Sequence, residues 1–189
     1  RVEEQYRNLD TRIISGFDFS TRYFVNSDYG NFNFIVNISK LEKFRQKAGN
    51  DFIELIDAQE KGIIPEELAI TGFSDLIEKD GSPKIQANFK FLWNRGSWGL
   101  GLFGRHIGEF YVTRNKLSDG RLWKVKAYNT INTFIDYNFK ISGSQSNLRF
   151  GINNIADERA PLASDIFGYY IDKHDNLGRS YYINFIHRY

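Results

Sequence analysis

The stretch WKVKAYNTINTFIDYNFK, residues 123–140, decides the fold class. Its odd positions hold Trp, Val, Ile, Tyr and Phe among other uncharged residues, whereas every Lys and the one Asp fall at even positions. Successive side chains of a β-strand point to opposite faces, so this period of two residues predicts a strand with one apolar and one polar face. We therefore predict one long strand over 123–140.

The same alternation recurs in six further segments, which gives seven predicted strands. The other six cover residues 12–26, 31–39, 84–94, 98–105, 147–153 and 180–189. The apolar faces carry no Asp, Glu, Lys or Arg, although 25% of the chain is charged. The opposite faces carry twelve charges, on Arg12, Asp18, Arg22, Lys84, Lys90, Arg105, Lys124, Lys126, Asp136, Lys140, Arg149 and Arg188. The contrast predicts that one face of the sheet meets an apolar environment.

The connections between the predicted strands alternate in length. Tight turns join strands one to two, three to four and five to six, whereas long loops over 42–83, 106–122 and 154–179 join the others. Short turns at one end and long loops at the other are the layout of a transmembrane β-barrel. The loop 42–83 is predicted to hold two short helices, one N-capped by Asn50 or Asp51 and one starting at Pro65.

Composition excludes several functional classes. Lys+Arg 25 against Asp+Glu 23 lacks the basic excess of a nucleic-acid binder. The absence of Cys excludes disulfides, Cys-ligated zinc and a Cys nucleophile, and the three His are too scattered for most metal sites. No apolar run approaches the roughly 20 residues of a spanning helix. Residues 1–5, RVEEQ, show no signal peptide, so the chain is either cytoplasmic or a mature or truncated piece, and the barrel pattern favours the second.

Alternation alone also fits a soluble β-sandwich or a lipocalin-type barrel with its apolar face inside. Three features favour the membrane: strands of about 9–11 residues, a polar face suited to a hydrated lumen, and aromatic residues near strand ends. The expected aromatic girdle comprises Trp93, Trp98, Trp123 and Tyr189. Seven is an odd number of strands, and residues 1–8 carry charge on both faces and make a poor eighth strand. We therefore expect the C-terminal part of a larger barrel.

The motifs of the chain resemble the C-terminal barrel of TonB-dependent outer-membrane receptors. The resemblance rests on LRFGINNIAD at 148–157, APL at 160–162, GRSYYI at 178–183, NLDTRIISGFD at 8–18 and KFLWNRGSW at 90–98. It marks Asn153, Asn154 and Asp157 as a family corner, and Gly178 and Arg179 as the start of the closing strand. The corner departs from the family at Ile155-Ala156, where Leu-Phe is usual.

This resemblance implies a 22-stranded barrel around a plug domain in the bacterial outer membrane. Such a receptor imports a scarce nutrient, such as siderophore-bound iron, a vitamin, haem or a glycan, with energy relayed by the TonB complex. The whole chain 1–189 is then the C-terminal portion of the barrel, with the plug and earlier strands absent. Phe185, His187 and Tyr189 resemble the terminal signal read by the outer-membrane assembly machinery. A passive porin and a soluble ligand-binding protein are the alternatives.

Few residues suggest a chemical site. Asp172, His174, Asp175 and His106 are weak candidates for ligand binding, although a solvated loop is the commoner explanation. The GLGLFG stretch at 99–104 fits a dinucleotide-binding pattern but lies inside a predicted strand, so Gly99 and Gly101 are expected to leave space for a plug or a close backbone. The polar-face cations Arg12, Arg22, Lys84, Lys124 and Lys126 could steer anionic ferric complexes electrostatically, but most of them are expected to form salt bridges with the plug or with neighbouring strands. We predict no catalysis, no cofactor and no metal.

Overall fold

The computed structural model describes residues 10–188 and, at Asn115, the backbone alone. The segment 1–8, considered above as an eighth strand, and the aromatic Tyr189 lie outside these residues. The elements in chain order are β1 (Arg12–Ser27), β2 (Gly30–Gln46), α1 (Asn50–Glu60), β3 (Ser74–Asp75), β4 (Ile85–Arg95), β5 (Trp98–Ile107), β6 (Phe110–Lys116), β7 (Leu122–Val125), β8 (Tyr128–Ile141), β9 (Ser144–Asn153) and β10 (Ser180–His187).

Seven long strands form one antiparallel sheet in the order β1-β2-β4-β5-β8-β9-β10. Each strand therefore pairs with its neighbour in the chain, and the short β3 adds only to the end of β2. This confirms the all-β antiparallel fold. Within residues 10–188, β1 and β10 each pair along one edge only, so the sheet is open.

The sheet has a turn end and a loop end, as the connection lengths predict. Tight turns link β1 to β2, β4 to β5, and β8 to β9, and all three lie at one end. At the other end, residues 47–84, 108–127 and 154–179 make the long connections. The register keeps the two faces separate across the sheet, since Phe89 pairs with Gly104 and Gly104 with Ile131, all on the apolar face.

The predicted strand over 123–140 is wrong at its start. The chain leaves the sheet after Ile107, forms the separate hairpin β6–β7 and returns only at Tyr128. The Asp119-Gly120 turn allows Trp123 and Val125 to pair back onto β6, where Val125 is fully buried. The burial of Val125 in this hairpin explains why residues 122–125 pair with β6 and do not extend β8.

The loop 47–84 contains one helix rather than two. Helix α1 begins after Gly49, whose backbone is extended and gives no side-chain cap, so neither Asn50 nor Asp51 is the N-cap. Pro65 starts a single turn, closed by the Leu68 N–H donating to the Pro65 carbonyl at 3.1 Å. The Gln59 amide donates to the carbonyls of Pro65 and Leu68, at 2.9 Å each. The Gln59 side chain therefore binds carbonyl groups that the backbone N–H groups of a second helix would otherwise have bound. No helix within residues 10–188 is long and apolar enough to cross a membrane.

A packed cluster of buried apolar residues lies outside the sheet, among the loops. Phe110, Val112, Val125 and Ala163 form it, with Trp123 and Tyr170 packed against them; we call these six residues the loop core. Phe110 and Val125 are fully buried. Burial of each such side chain contributes about 1.5–3 kcal/mol, so the loop core stabilises the loop end on its own account.

Candidate functional site

The apolar face is an extended hydrophobic surface that no other element covers within residues 10–188. Phe17 on β1 is 70% exposed and Ile183 on β10 is 74% exposed, and strands between them also carry exposed large apolar side chains. Soluble monomers rarely expose contiguous apolar patches beyond a few hundred Å². A lipid-facing barrel wall requires such a face.

Aromatic side chains border this face at the turn end. The Trp93 indole N–H donates to the Tyr29 carbonyl at 2.9 Å, and the rings of Trp98 and Tyr137 lie 4.7 Å apart. This arrangement matches the girdle expected at a membrane interface. Trp123 does not belong to it, because its indole N–H donates to the Leu162 carbonyl at 2.9 Å in the loop core.

The polar face holds an ion pair near the turn end. Arg149 on β9 donates to Asp136 on β8 at 2.5 Å, and the Asp136 side chain is only 10% exposed. The Arg149 guanidinium also lies 3.7 Å from the centre of the Phe134 ring, which is a cation–π geometry. The pair fixes neighbouring strands side by side.

The glycines of β5 provide space for side chains of the neighbouring strand. A Cβ at Gly101 would lie 2.2 Å from the Phe134 ring, and a Cβ at Gly99 would collide with the Asp136 carboxylate. The expectation that Gly99 and Gly101 leave room for a plug is therefore wrong at these two positions, because cross-strand side chains fill the space. The 99–104 pattern lies in a strand that runs to Ile107, with no helix after it, so it is not a dinucleotide site.

A row of hydrogen-bonding side chains crosses the polar face towards the loop end. The Ser20 hydroxyl donates to the Asn37 amide oxygen at 2.7 Å, and the Asn37 amide donates to Asn88 at 2.8 Å. Arg105 and then Thr130 continue the row in register. Among residues 10–188, the guanidinium of Arg105 makes neither a hydrogen bond nor an ion pair, and the residue is exposed.

Within the described part of the chain, Arg105 lines three cavities, and two of them have mixed polar and apolar linings. The first, of about 460 Å³, includes Asn37 and Asn88 in its lining. The second, of about 280 Å³, lies between the strands and residues 175–178 of the last loop, and Tyr128 lines it. An exposed guanidinium that lines both of these cavities can hold a carboxylate or a phosphate by charge-assisted hydrogen bonds.

The other predicted polar-face cations divide between the sheet and the loops. Arg12 donates to the Gln46 side chain at 2.8 Å, and Arg22 lies on β1. Lys124 lies in the β6–β7 hairpin and pairs with Glu109 at 2.8 Å, and this hydrogen bond raises the pKa of Lys124. Lys84 lies in the connection that precedes β4, and Lys126 lies in the connection that precedes β8. The position of Lys124 and Lys126 on the polar face of one long strand is therefore wrong.

The four predicted ligand-binding candidates do not form one cluster. His106 lies on the apolar face, where its Nδ1 is 2.7 Å from the Asn129 amide oxygen. His174 is buried in the last loop, while Asp172 is exposed. The Asp175 carboxylate accepts the Leu177 N–H at 2.8 Å. Within residues 10–188, no group of three or more His, Cys, Asp or Glu could hold a metal ion. Ligand binding by these four residues stays a prediction.

The family-motif residues form the base of the last loop. Asn154 is buried and both donates to and accepts from the Glu158 backbone, while its own N–H donates to Asn132 at 2.7 Å. The Asp157 carboxylate accepts the Arg179 N–H at 2.7 Å, which lowers the pKa of Asp157.

The remaining motif residues also lie at this base. Gly178 has φ +78, and a Cβ there would lie 2.6 Å from the Asp157 carboxylate, so glycine is required. Asn153, the last residue of β9, donates to the Ser180 hydroxyl at 3.3 Å, where β10 begins. These contacts set the register between β9 and β10.

The predicted assembly signal lies on the apolar face of β10. Phe185 is 55% exposed, and its ring stacks on the His187 ring with centroids 6.5 Å apart. His187 Nδ1 is also 2.9 Å from the Ser146 hydroxyl of the neighbouring strand. Tyr189 lies outside the described residues. The signal role of these three residues stays a prediction.

The loop core is the part of the site that sequence reasoning missed. Its signal was present as Asp119-Gly120, a strong hairpin turn, between the alternating pairs Phe110/Val112 and Trp123/Val125. The long alternation through 123–140 concealed it.

One of three comparisons with known proteins found a similarity. The sequence model of a family described as TonB dependent receptor-like, beta-barrel, matches residues 2–155, which are 154 of the 189 residues. The match runs through β9 and ends at the start of the last loop, residues 154–179, so it does not reach β10. Neither the comparison with curated proteins nor that with solved structures found a match.

Proposed function

This chain belongs to the TonB-dependent receptor-like β-barrel family, whose members are outer-membrane receptors and transporters, and we propose that it imports a scarce nutrient with energy from the TonB complex. The nutrient class is siderophore-bound iron, a vitamin, haem or a glycan. The observation that carries the proposal is the exposed apolar face of the β-sheet in a chain of this family. On that face Phe17 is 70% exposed and Ile183 is 74% exposed. A soluble sandwich would bury these side chains.

We further propose that the chain is the C-terminal portion of a 22-stranded barrel with a plug domain. Within residues 10–188, the outer edges of β1 and β10 carry unpaired backbone groups, which is costly in a membrane. Closure by further strands satisfies them. Reading the gene upstream of Arg1 tests this: a signal peptide, a TonB box, a plug and about fifteen more strands are expected. A stop codon or an unrelated domain directly upstream would contradict it.

The uptake proposal is tested by deleting the gene and measuring growth and uptake under iron limitation and under carbon limitation. The probes are a ferric siderophore, cobalamin, haem and an oligosaccharide mixture, each supplied at a concentration too low for passive entry. We expect loss of uptake of one probe, and equal loss when tonB function is removed instead. Uptake that survives removal of TonB function would favour the passive porin.

We propose that the nutrient contacts the polar face beside Arg105, with an anionic group on the guanidinium. Support comes from the exposed and unpaired guanidinium of Arg105 within the described residues and from two of the cavities that it lines. Arg105→Ala in the full-length receptor should raise the Kd for the imported nutrient at least tenfold. Arg22→Ala is the matched control, because Arg22 lies on the same face in β1 but lines neither cavity. Equal affinities of both variants would remove Arg105 from the site.

A further inference from the structure

His174 is a buried imidazole with no hydrogen-bond partner. It is 4% exposed, and neither Nδ1 nor Nε2 has a partner among residues 10–188. Buried polar atoms in folded proteins are nearly always hydrogen-bonded, so two such atoms on one ring need an explanation. A neutral imidazole tolerates this position far better than an imidazolium, which would need acceptors for two N–H groups.

Aromatic rings from two other elements enclose His174. The Phe110 ring of β6 lies parallel to it, with an interplanar angle of 5° and centroids 6.0 Å apart. The Tyr128 ring, at the start of β8, meets it edge-on at 5.2 Å. The backbone N–H of His174 donates to the backbone carbonyl of Tyr170 at 2.8 Å, and the Tyr170 ring packs edge-on against Phe110. The imidazole therefore joins the last loop to the loop core.

The charged groups around this ring all oppose a positive charge or are engaged elsewhere. Burial lowers the pKa of His174 most, and the cations Arg105 on β5 and Lys173 in the same loop lower it further. No acidic group of the described residues contributes to this pKa shift, and three acidic residues of the packed segments are bound to other partners: Asp175 to the Leu177 N–H, Glu109 to Lys124, and Asp80 to Thr113. The Tyr128 hydroxyl donates to the Asp175 carbonyl at 2.7 Å.

The segment that follows His174 covers a cavity on the polar face. Asp175, Leu177 and Gly178 line the cavity of about 280 Å³ together with Arg105 and side chains of the strands. Movement of His174 out of its aromatic surroundings would carry this segment with it. The contacts of this ring thus hold in place a segment that lines a space beside the proposed ligand site.

We propose that His174, Phe110 and Tyr128 form a latch that holds the last loop closed over this cavity at neutral pH and releases it in mild acid. The sign follows from the depressed pKa in the closed loop. Closed-loop stabilisation is complete above the ordinary imidazole value of 6.5 and is lost progressively as the pH falls below it, because the open loop takes up the proton. Relative to neutral pH, the opening equilibrium at pH 5 rises by up to about 30-fold.

Hydrogen exchange on the full-length receptor in detergent tests the latch without reference to transport. The probes are the amides of Tyr111, Ala163 and His174, which bond to Glu78, Gly168 and Tyr170 carbonyls. Protection factors, corrected for intrinsic exchange, are compared between pH 7.5 and pH 5.0. Carboxylates as a class titrate about one pH unit below the lower end of this interval, so histidine titration dominates between pH 7.5 and pH 5.0. The wild-type protection should fall by up to about 30-fold.

Three variants separate the latch from a general effect of acid. His174→Phe keeps an aromatic ring without a titratable nitrogen and should hold its protection at both pH values. His106→Phe, which removes a histidine on the apolar face, should respond as the wild type does. Arg105→Gln removes a nearby cation, so His174 protonates more readily in the closed loop and the fall in protection should be no larger than in the wild type.

Either of two results would overturn the latch: unchanged wild-type protection between the two pH values, or the same loss of protection in His174→Phe. If His174→Phe leaves the loop unprotected at both pH values, the pH profile of the wild type decides, since protection that falls only below about pH 5, where carboxylates titrate, contradicts the proposal. The latch is measured on the loop itself, so failure of the nutrient proposal leaves this test intact.

Discussion

Arginine substitutions at two neighbouring leucines should have unequal costs if the apolar face meets lipid. Leu102 lies on the apolar face of β5 and pairs with Phe91, while Leu92 lies one register step away on the polar face and pairs with Gly101. Leu102 is four residues from Trp98 in the turn-end girdle. At about 3.4 Å per residue and a tilt near 45°, this places it about 10 Å into an apolar band about 25 Å tall.

Leu102→Arg should therefore cost about 2–4 kcal/mol of the free energy of unfolding, since a charge near the mid-plane loses its hydration. Leu92→Arg should cost less than about 1 kcal/mol, because its guanidinium enters the polar side of the barrel. Leu92 also pairs with Asn33, whose buried amide oxygen has no hydrogen-bond partner in the described part of the chain. The new guanidinium can donate to that oxygen.

The measurement is urea unfolding of the full-length receptor refolded into lipid vesicles, followed by tryptophan fluorescence. In detergent micelles the costs of the two variants in free energy of unfolding should differ less than in vesicles, since a micelle deforms around a charge more readily than a bilayer. Equal costs in vesicles, or a larger cost for Leu92→Arg, would show that hydrocarbon does not cover the apolar face.

Three further changes test the polar face and the base of the last loop. Gly101→Leu should lower the free energy of unfolding by about 1–3 kcal/mol in the same urea assay, because its Cβ would lie 2.2 Å from the Phe134 ring; an unchanged midpoint would contradict the contact. Asp136→Ala leaves the Arg149 guanidinium without its carboxylate and should cost about 1–3 kcal/mol, and restoration by Asp136→Glu would confirm the ion pair. The Asp157 carboxylate accepts the Arg179 N–H, and this bond lowers the pKa of Asp157. The stabilisation from this bond is therefore fully present above pH 3.8 and weakens as the pH falls below it. The protection factor of that amide, corrected for intrinsic exchange, should fall in this range in the wild type, but stay constant with pH in Asp157→Asn.

The sheet could be predicted from the sequence because a period of two residues is a local and redundant signal. Each of the seven strands repeats it over many residues, so an error at one residue does not change the assignment. Tight turns such as Asn26–Gly30 and Ser142-Gly143 also set the register locally. The faces were therefore correct even where strand ends were not, as at β2, which extends seven residues beyond the predicted Ser39 to Gln46.

The loop end could not be predicted in the same way because its contacts join distant segments. Phe110, Val125 and Ala163 meet in one core although they are far apart in the chain, and no period relates them. His174 looked like a residue of a solvated charged loop because Asp172, Lys173 and Asp175 surround it in the sequence. Its burial depends on Phe110 and Tyr128, which only the folded loops bring to it.

The two ends of the molecule therefore differ in what stabilises them, and this difference has a consequence for function. Membrane strands depend on backbone pairing and on the lipid around them, which changes little with external pH. The loop end depends on a small core that a single titratable ring helps to close. Local opening of such a unit requires far less free energy than global unfolding, so the loops can open while the sheet stays in place. A receptor built in this way can alter access to its polar face in response to the medium without loosening the barrel.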